Sequence, residues 1–252
     1  MSNERDAASL LKRIAVNQAG SSFDLTSWIM NGLNLQPGSR VLEWCCGTGE
    51  QTLPLLEAVG PEGCVWALDV STDALTELRR KIPEGFVVLL NANMDRILRI
   101  AETRFDMVFC AYGLYYAASA AMVLNDATMR LKPNGRIVIV GPYGLNNAML
   151  FNVLQSAGVR IAKDVRYSSQ DFMMQEVVPW AVENMAEVRI RTVRNQVRFR
   201  EPASVLAYWQ NSTFYDSEKE QAVQDTLDAY FKVNPELVND KWIMMVEMRC
   251  AS

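Results

Sequence analysis

The sequence predicts an α/β fold built on a parallel sheet with helices over both faces. Three observations point there. Between residues 40 and 142, short apolar runs alternate with amphipathic stretches. The apolar runs are continuous rather than alternating, as in strands buried on both faces. The stretches between them carry helical spacing and helix-start residues, so right-handed crossovers join successive strands. The chain has 252 residues, 50% of them hydrophobic and 21% charged, and a chain of that size buries roughly 70–75% of its unfolded surface without disulfide or metal staples.

RVLEW (40–44) is the first predicted strand, with a helix from about Glu50 to Ala58 behind it. CVWALDV (64–70) is the second. In the following STDALTELRRKI, Ser71 caps a helix whose Leu75, Leu78 and Ile82 share one face. FVVLLNA (86–92) and FDMVFCA (105–111) are the third and fourth strands. A helix is expected from about Tyr115 to Leu131, stopped by the turn KPNG at 132–135, with RIVIVGP (136–142) as the fifth strand. Beyond 142 the pattern changes. Residues 146–158 and 168–185 read as helical, the latter interrupted by Pro179. Residues 187–199 alternate like a strand, 202–211 and 216–232 read as helices, and KWIMMVEM (241–248) as a last strand. No linker or repeat divides the chain, so one domain over 1–252 is expected. Its parts would be a helical segment over 1–31 lying across the ligand site, a binding core over 32–145, a helix-and-strand insertion over 146–240, and the last strand over 241–252.

Composition excludes several functions. The net charge is −4 with no broad basic face, so nucleic acid is not an expected partner. The arginines at 189, 191, 194, 198 and 200 are read as a solvated strand face. The five cysteines have no CxxC pair and the chain has no histidine, which removes zinc-finger and His-based metal sites; no metal is expected. MSNERDAASLLKR lacks the apolar core of a signal peptide. No apolar run reaches the roughly 18 residues of a membrane span, so a cytoplasmic location is expected. The oligomeric state is left open.

The stretch LEWCCGTGEQT (42–52) follows the first strand. A glycine-rich turn there lets backbone approach a ligand, and the helix it opens offers unpaired N–H groups. Asp69 ends the second strand 20 residues after Gly49, the spacing of an acid that accepts a ribose diol. A GxGxxG dinucleotide fingerprint fails at Thr52, and a P-loop fails for want of lysine.

These residues resemble those of the class I S-adenosylmethionine (SAM)-dependent methyltransferases, small-molecule type, similar to the ubiquinone and menaquinone biosynthesis group. The family's acid and G-x-G-x-G appear as Glu43-Trp-Cys45-Cys46-Gly47-Thr48-Gly49, with Cys45 in place of the first glycine. The resemblance continues through LDVSTDAL, NANMDRI, FDMVFCAYGLYYA and LKPNGRIVIVGP, over roughly residues 23–145. It implies a Rossmann-like sheet, mostly parallel with an antiparallel last strand, and SAM as cofactor with S-adenosylhomocysteine as product. By position it implies that Glu43 and the backbone of Cys45, Gly47 and Gly49 hold the methionine moiety, with Gln51 or Thr52 close by. Asp69 would accept the ribose hydroxyls and Val70 would pack on the adenine, whose amine Asp95 would bind beside Met94. Cys110 and Ala111, with Tyr112, would line the channel at the sulfonium.

Each residue also has a plain structural reading. Asp69 and Asp95 suit helix caps, and Cys45, Cys46 and Cys110 suit small packing residues. Methyl transfer from a sulfonium is an in-line displacement for which alignment alone contributes about 7–11 kcal/mol. With no histidine, the acceptor needs no strong base or takes it from a carboxylate or a tyrosine. Tyr112, Tyr115, Tyr116 and Tyr143 follow strands four and five and are the pocket candidates; packing at a helix start is their alternative. Trp28, Tyr208 and Trp209 are weaker candidates. The catalytic group itself is not identified. CAYG at 110–113 stands where base-modifying enzymes of the family carry a Pro-Pro-aromatic stretch, so the expected partner is a small molecule. The expected activity is methyl transfer to an O-, N- or C-nucleophile. The alternatives are a non-catalytic SAM-binding protein and, ranked lower, an NAD(P)-linked oxidoreductase.

Overall fold

The computed structural model describes residues 12, 15–16, 20–21, 23–82, 87–99 and 104–250. Seven strands form one sheet in the order β3-β2-β1-β4-β5-β7-β6. They are β1 (Arg40–Trp44), β2 (Cys64–Asp69), β3 (Val87–Asn91), β4 (Phe105–Ala111), β5 (Leu131–Pro142), β6 (Glu187–Phe199) and β7 (Leu237–Arg249). The first five pair in parallel, with Trp44 opposite both Leu68 and Cys110. Along β5 and β7, Arg136 meets Glu247 while Tyr143 N–H donates to the Trp242 carbonyl, so residue numbers rise on one strand as they fall on the other. Arg194–Asp240 and Arg198–Glu236 repeat that pattern for β6 and β7. Both are the pattern of antiparallel pairs.

By its internal contacts the chain divides into two compact units. One comprises Leu25–Gly141, Phe172–Thr192 and the chain from Met244. Its strands are buried on both faces: Val41, Leu42, Val65, Ala67, Val108 and Phe109 have no exposure. Helices α1 (Leu25–Leu33), α2 (Thr52–Val59), α3 (Thr72–Lys81) and α4 (Ala120–Met129) belong to it. Helix α3 forms where its apolar spacing and start residue predict it. Ser71 Oγ accepts from Ala74 N–H at 3.2 Å, Asp73 lies in the first turn, and Arg79, Arg80 and Lys81 lie in the last, where they complement the helix dipole. The other unit comprises the described residues up to Asp24, Pro142–Asp171 and Val193–Ile243. Helices α5 (Ala148–Ser156), α8 (Pro202–Gln210) and α9 (Glu220–Val233) bury Leu150, Phe151, Leu154, Tyr208, Trp209, Val223 and Leu227 there.

Three expectations change. The helix expected from Tyr115 to Leu131 is broken. Leu114–Tyr116 form one 3₁₀ turn, and α4 begins after Ser119, whose extended backbone (φ −149, ψ 110) and Oγ bond to Met122 N–H make it the cap. KPNG does not precede the fifth strand but bulges within it. Asn134 has φ 65, and the β4–β5 pairing jumps from Phe105↔Leu131 to Met107↔Arg136. Pro179 does not interrupt its helix. It stands at the start of α7 (Val178–Asn184), and the backbone stays helical through Val177 and Val178 before it. The chain before it runs from α6 (Lys163–Arg166) through wide π-turns at Tyr167–Asp171 and Met173–Val177. Most of the segment 1–31 lies outside the described residues.

Candidate functional site

The carboxyl ends of β1, β2 and β4 hold most of the residues singled out by sequence. Glu43 is 2% exposed at the end of β1 and accepts a 2.6 Å hydrogen bond from Thr52 Oγ1. Burial pushes its carboxyl up to about 8; the Thr52 bond opposes the rise and the Asp69 charge adds to it. The chain then turns at Cys45, which takes a left-handed φ of 55. A side chain there costs about 1–2 kcal/mol, a strain absent where the first glycine of the motif is kept. Gly49 has φ 93, and a Cβ on it would lie 2.3 Å from Leu78 Cδ1 of α3. Both conformation and packing therefore demand glycine.

Asp69 closes the loop from β2. Its Oδ2 accepts from Gly47 N–H at 2.8 Å and its Oδ1 from Ser71 N–H at 2.9 Å. A carboxylate has about four lone-pair positions, so each oxygen keeps acceptor capacity for a ligand diol. Next to it Val70 is 67% exposed, an open apolar surface beside a polar anchor. Met94 is buried and takes the Cys45 thiol on its sulfur at 3.9 Å. Asp95 does not cap its own turn; its Oδ1 accepts from Ala118 N–H at 3.0 Å in the loop after β4.

Two buried polar atoms of this loop lack hydrogen-bond partners. Thr48 Oγ1 and Gln51 Oε1 have none, while Gln51 Nε2 reaches Thr26 Oγ1 at 3.4 Å. Together with the glycine cradle and the Asp69 and Val70 pair, they fit a ligand carrying a charged amino-acid end and a nucleoside end. Unmatched buried acceptors of this kind are costly unless a ligand or water engages them.

On the β4 side, Cys110 is fully buried, and its thiol is held well above the usual range by its hydrogen bond to Cys45 and by burial. Burial likewise pushes the Cys46 thiol far up. Neither is an activated nucleophile. After Ala111 the chain turns at Tyr112, a second non-glycine residue in the left-handed region (φ 56), whose N–H donates to the Val140 carbonyl at 2.8 Å. Strained residues of this kind concentrate at functional sites. Tyr115 packs on Tyr116 with centroids 4.7 Å apart and meets Phe172 edge-on at 6.0 Å. Tyr116 is 55% exposed.

Tyr143 belongs to the other unit, where its ring meets Trp242 edge-on at 5.9 Å. Tyr208 and Trp209 are buried in that unit's own core. A cavity of about 450 Å³ there, lined by Ile161, Lys163, Asp164, Arg166, Tyr167 and Asp171, includes none of the predicted site residues. Among the described residues no cluster of three or more cysteines and acids is placed to hold a metal, and no helix is long and apolar enough to cross a membrane.

Sequence reasoning missed three supports of the loop. Lys81 Nζ donates to the Thr48 carbonyl at 2.9 Å, Leu78 packs against Gly49, and Gly113 makes room beside Cys45. Leu78 stood on the predicted apolar face of α3. Nothing local marks Lys81 or Gly113, because their partners are tens of residues away.

Comparison with known proteins bears on this arrangement. Residues 41–135 match the methyltransferase-domain family. A demethylmenaquinone methyltransferase of Anoxybacillus flavithermus is 37% identical over 112 residues, 43% of this chain and 47% of that protein; this chain thus spans about half the length of the curated relatives it matches. Among solved structures, a Bacillus halodurans protein superposes with a TM-score of 0.62 at 16% identity, covering 90% of this chain and 99% of that one. A Haemonchus contortus phosphoethanolamine N-methyltransferase, solved with S-adenosylhomocysteine, gives 0.59 at 12%, covering 97% and 58%. At such identities the likeness is one of fold. The chain has the Rossmann-like fold of the class I SAM-dependent methyltransferases, and its residues 41–135 match the methyltransferase-domain family model without covering half of the chain.

Proposed function

We propose that this protein transfers the methyl group of SAM to a small-molecule acceptor, chiefly by positioning it. The observation that carries this reading is the convergence at the ends of β1 and β2. There a glycine loop with unmatched buried polar atoms faces a carboxylate with spare acceptor capacity and an open valine. In this reading Asp69 accepts the ribose hydroxyls, Val70 covers one face of the adenine, and Asp95 with Met94 borders its edge. Glu43, Gln51, Thr52 and the backbone from Cys45 to Gly49 hold the amino-acid end. Cys110 and Ala111 border the reacting group.

SAM supplies an electrophilic methyl on a charged sulfur. What the chain must add is alignment and exclusion of water. No histidine is present to take a proton from the acceptor. Tyr115 packs with Tyr116 and Phe172 into an aromatic surface after β4 that supports a planar acceptor, and Tyr112 and Tyr143 are the other tyrosine candidates. The relatives' names specify demethylmenaquinone, but the match covers only 43% of this chain and 47% of the relative. The proposal therefore stays with a small nucleophilic molecule in a cytoplasmic setting.

Titration calorimetry with SAM, S-adenosylhomocysteine and NADH tests the reading. Binding of the first two and not the third is expected. NADH binding without SAM binding would overturn it in favour of a dehydrogenase. Tight SAM binding with no turnover across quinol, catechol and amine acceptors would favour a non-catalytic binding protein.

A further inference from the structure

Two thiols meet where the cofactor loop leaves the sheet. Trp44 of β1 lies opposite Cys110 of β4, and Cys45 is the next residue. Strand spacing and rise put the two Cα atoms about 6 Å apart, inside the roughly 4.4–6.8 Å that disulfides span. The turn at Cys45 brings its side chain to Cys110. A Cβ added to Gly113 would lie 2.7 Å from Cys45 Sγ and 3.0 Å from Cys110 Sγ, so the missing side chain is the space the two sulfurs share. The Cys45 thiol itself donates to the Met94 sulfur at 3.9 Å, and the Cys45 side chain is the first influence that raises the Cys110 thiol. Cys45 is partly exposed and Cys110 buried, while Cys46 turns away toward the Gly47 carbonyl.

We propose that Cys45 and Cys110 are a two-thiol modification site which a peroxide closes to a disulfide, and that closure shuts the cofactor loop. The second half rests on the cofactor reading above. The Cys45 sulfur, reachable from solvent, attacks one peroxide oxygen. The O–O bond breaks, one water leaves with the thiol proton, and Cys45 becomes a sulfenic acid. The Cys110 sulfur then attacks the Cys45 sulfur, the S–O bond breaks, and a second water leaves with the Cys110 proton. Two thiols lose two electrons and two protons, and hydrogen peroxide is reduced to two waters. The new bond pins the turn at Cys45 against β4 and narrows the channel beside Ala111.

The experiment treats the full chain with hydrogen peroxide, maps unreduced peptides by mass spectrometry, and measures SAM binding before oxidation, after it, and after dithiothreitol. The expected result is a peptide pair joining Cys45 to Cys110, with SAM affinity lowered at least about tenfold and restored by the reductant. Cys110→Ser, compared only with its own untreated sample, should give no linked pair and halt at a Cys45 sulfenic acid trapped by dimedone. No linked pair in the unmodified chain, or a Cys45–Cys46 link instead, overturns the site. A Cys45–Cys110 link with unchanged SAM affinity overturns the effect on the loop. If the reduced chain fails to bind SAM, the cofactor reading fails, while the mass result still decides whether the site exists.

Discussion

The loops after β1 and β4 leave neighbouring parallel strands by the same device, a non-glycine residue in the left-handed region, and then diverge. The β1 loop is tied down on every side. Asp69 holds Gly47, Lys81 holds the Thr48 carbonyl, Thr52 holds Glu43, and Leu78 closes on Gly49. The β4 loop is held differently: Tyr112 N–H donates to the Val140 carbonyl, Ala118 N–H to Asp95, Tyr116 and Ala117 N–H to carbonyls of the same turn, and rings pack around Tyr115. In the proposed reading the difference suits two jobs. A polar, charged cofactor is recognised by directed hydrogen bonds, which demand a rigid frame. An apolar acceptor is recognised by shape, which aromatic surfaces provide with fewer constraints.

That contrast can be broken most forcefully at Gly49. Gly49→Ala places a Cβ against Leu78 at a positive φ, where strain and overpacking together cost about 2–5 kcal/mol. We expect a melting temperature lower by roughly 10 °C or more and SAM binding weakened about 100-fold. Leu78→Ala in the same chain should recover part of the binding. If Gly49→Ala binds SAM normally, the β1 loop is not the rigid partner.

Asp69→Ala comes next. Loss of a charge-assisted contact worth about 1.5–3 kcal/mol should weaken SAM at least tenfold by calorimetry. Unchanged affinity in a folded variant would remove Asp69 from the ribose.

On the other loop, Tyr115→Ala should raise the acceptor KM about tenfold while leaving SAM affinity within about threefold. An equal effect on both ligands would abolish the division of labour.

A prediction of another kind concerns pH. Glu43 is neutral in folded and unfolded chains alike below about 4.5, but between 4.5 and about 8 only the folded chain keeps its proton. Stability from this group is therefore full at low pH and is lost as pH rises through that window. A cofactor ammonium beside Glu43 favours the ionised form, so SAM affinity should rise with pH by up to about tenfold per unit within the window. Glu43→Gln should flatten both trends, since it cannot titrate. A variant with the unaltered pH profiles would place the proton elsewhere.

Much of the β1 side was legible from the chain alone. Continuous apolar runs, the glycines at 47 and 49, and an acid 20 residues further on are local facts, and a buried parallel sheet leaves few ways to satisfy them. Ser71 as a cap was legible for the same reason. The β4 side was less so. Its expected helix breaks at Ser119, because a local cap outweighs periodicity that runs on through Tyr115 and Tyr116. Asp95 was legible as an acid at a turn, but its bond to Ala118 joins two loops 23 residues apart.

Sequence by itself determined the parallel core, the position of the glycine loop past the first strand, and the pairing of that loop with Asp69. Strand burial and turn conformation are written in neighbouring residues. Tertiary structure alone decided that Glu43 is buried enough to hold its proton, that Tyr112 turns as Cys45 does, and that Cys45 faces Cys110 rather than its neighbour Cys46. Desolvation and side-chain contact depend on which strands lie next to each other, and β1 lies beside β4, more than 60 residues away along the chain.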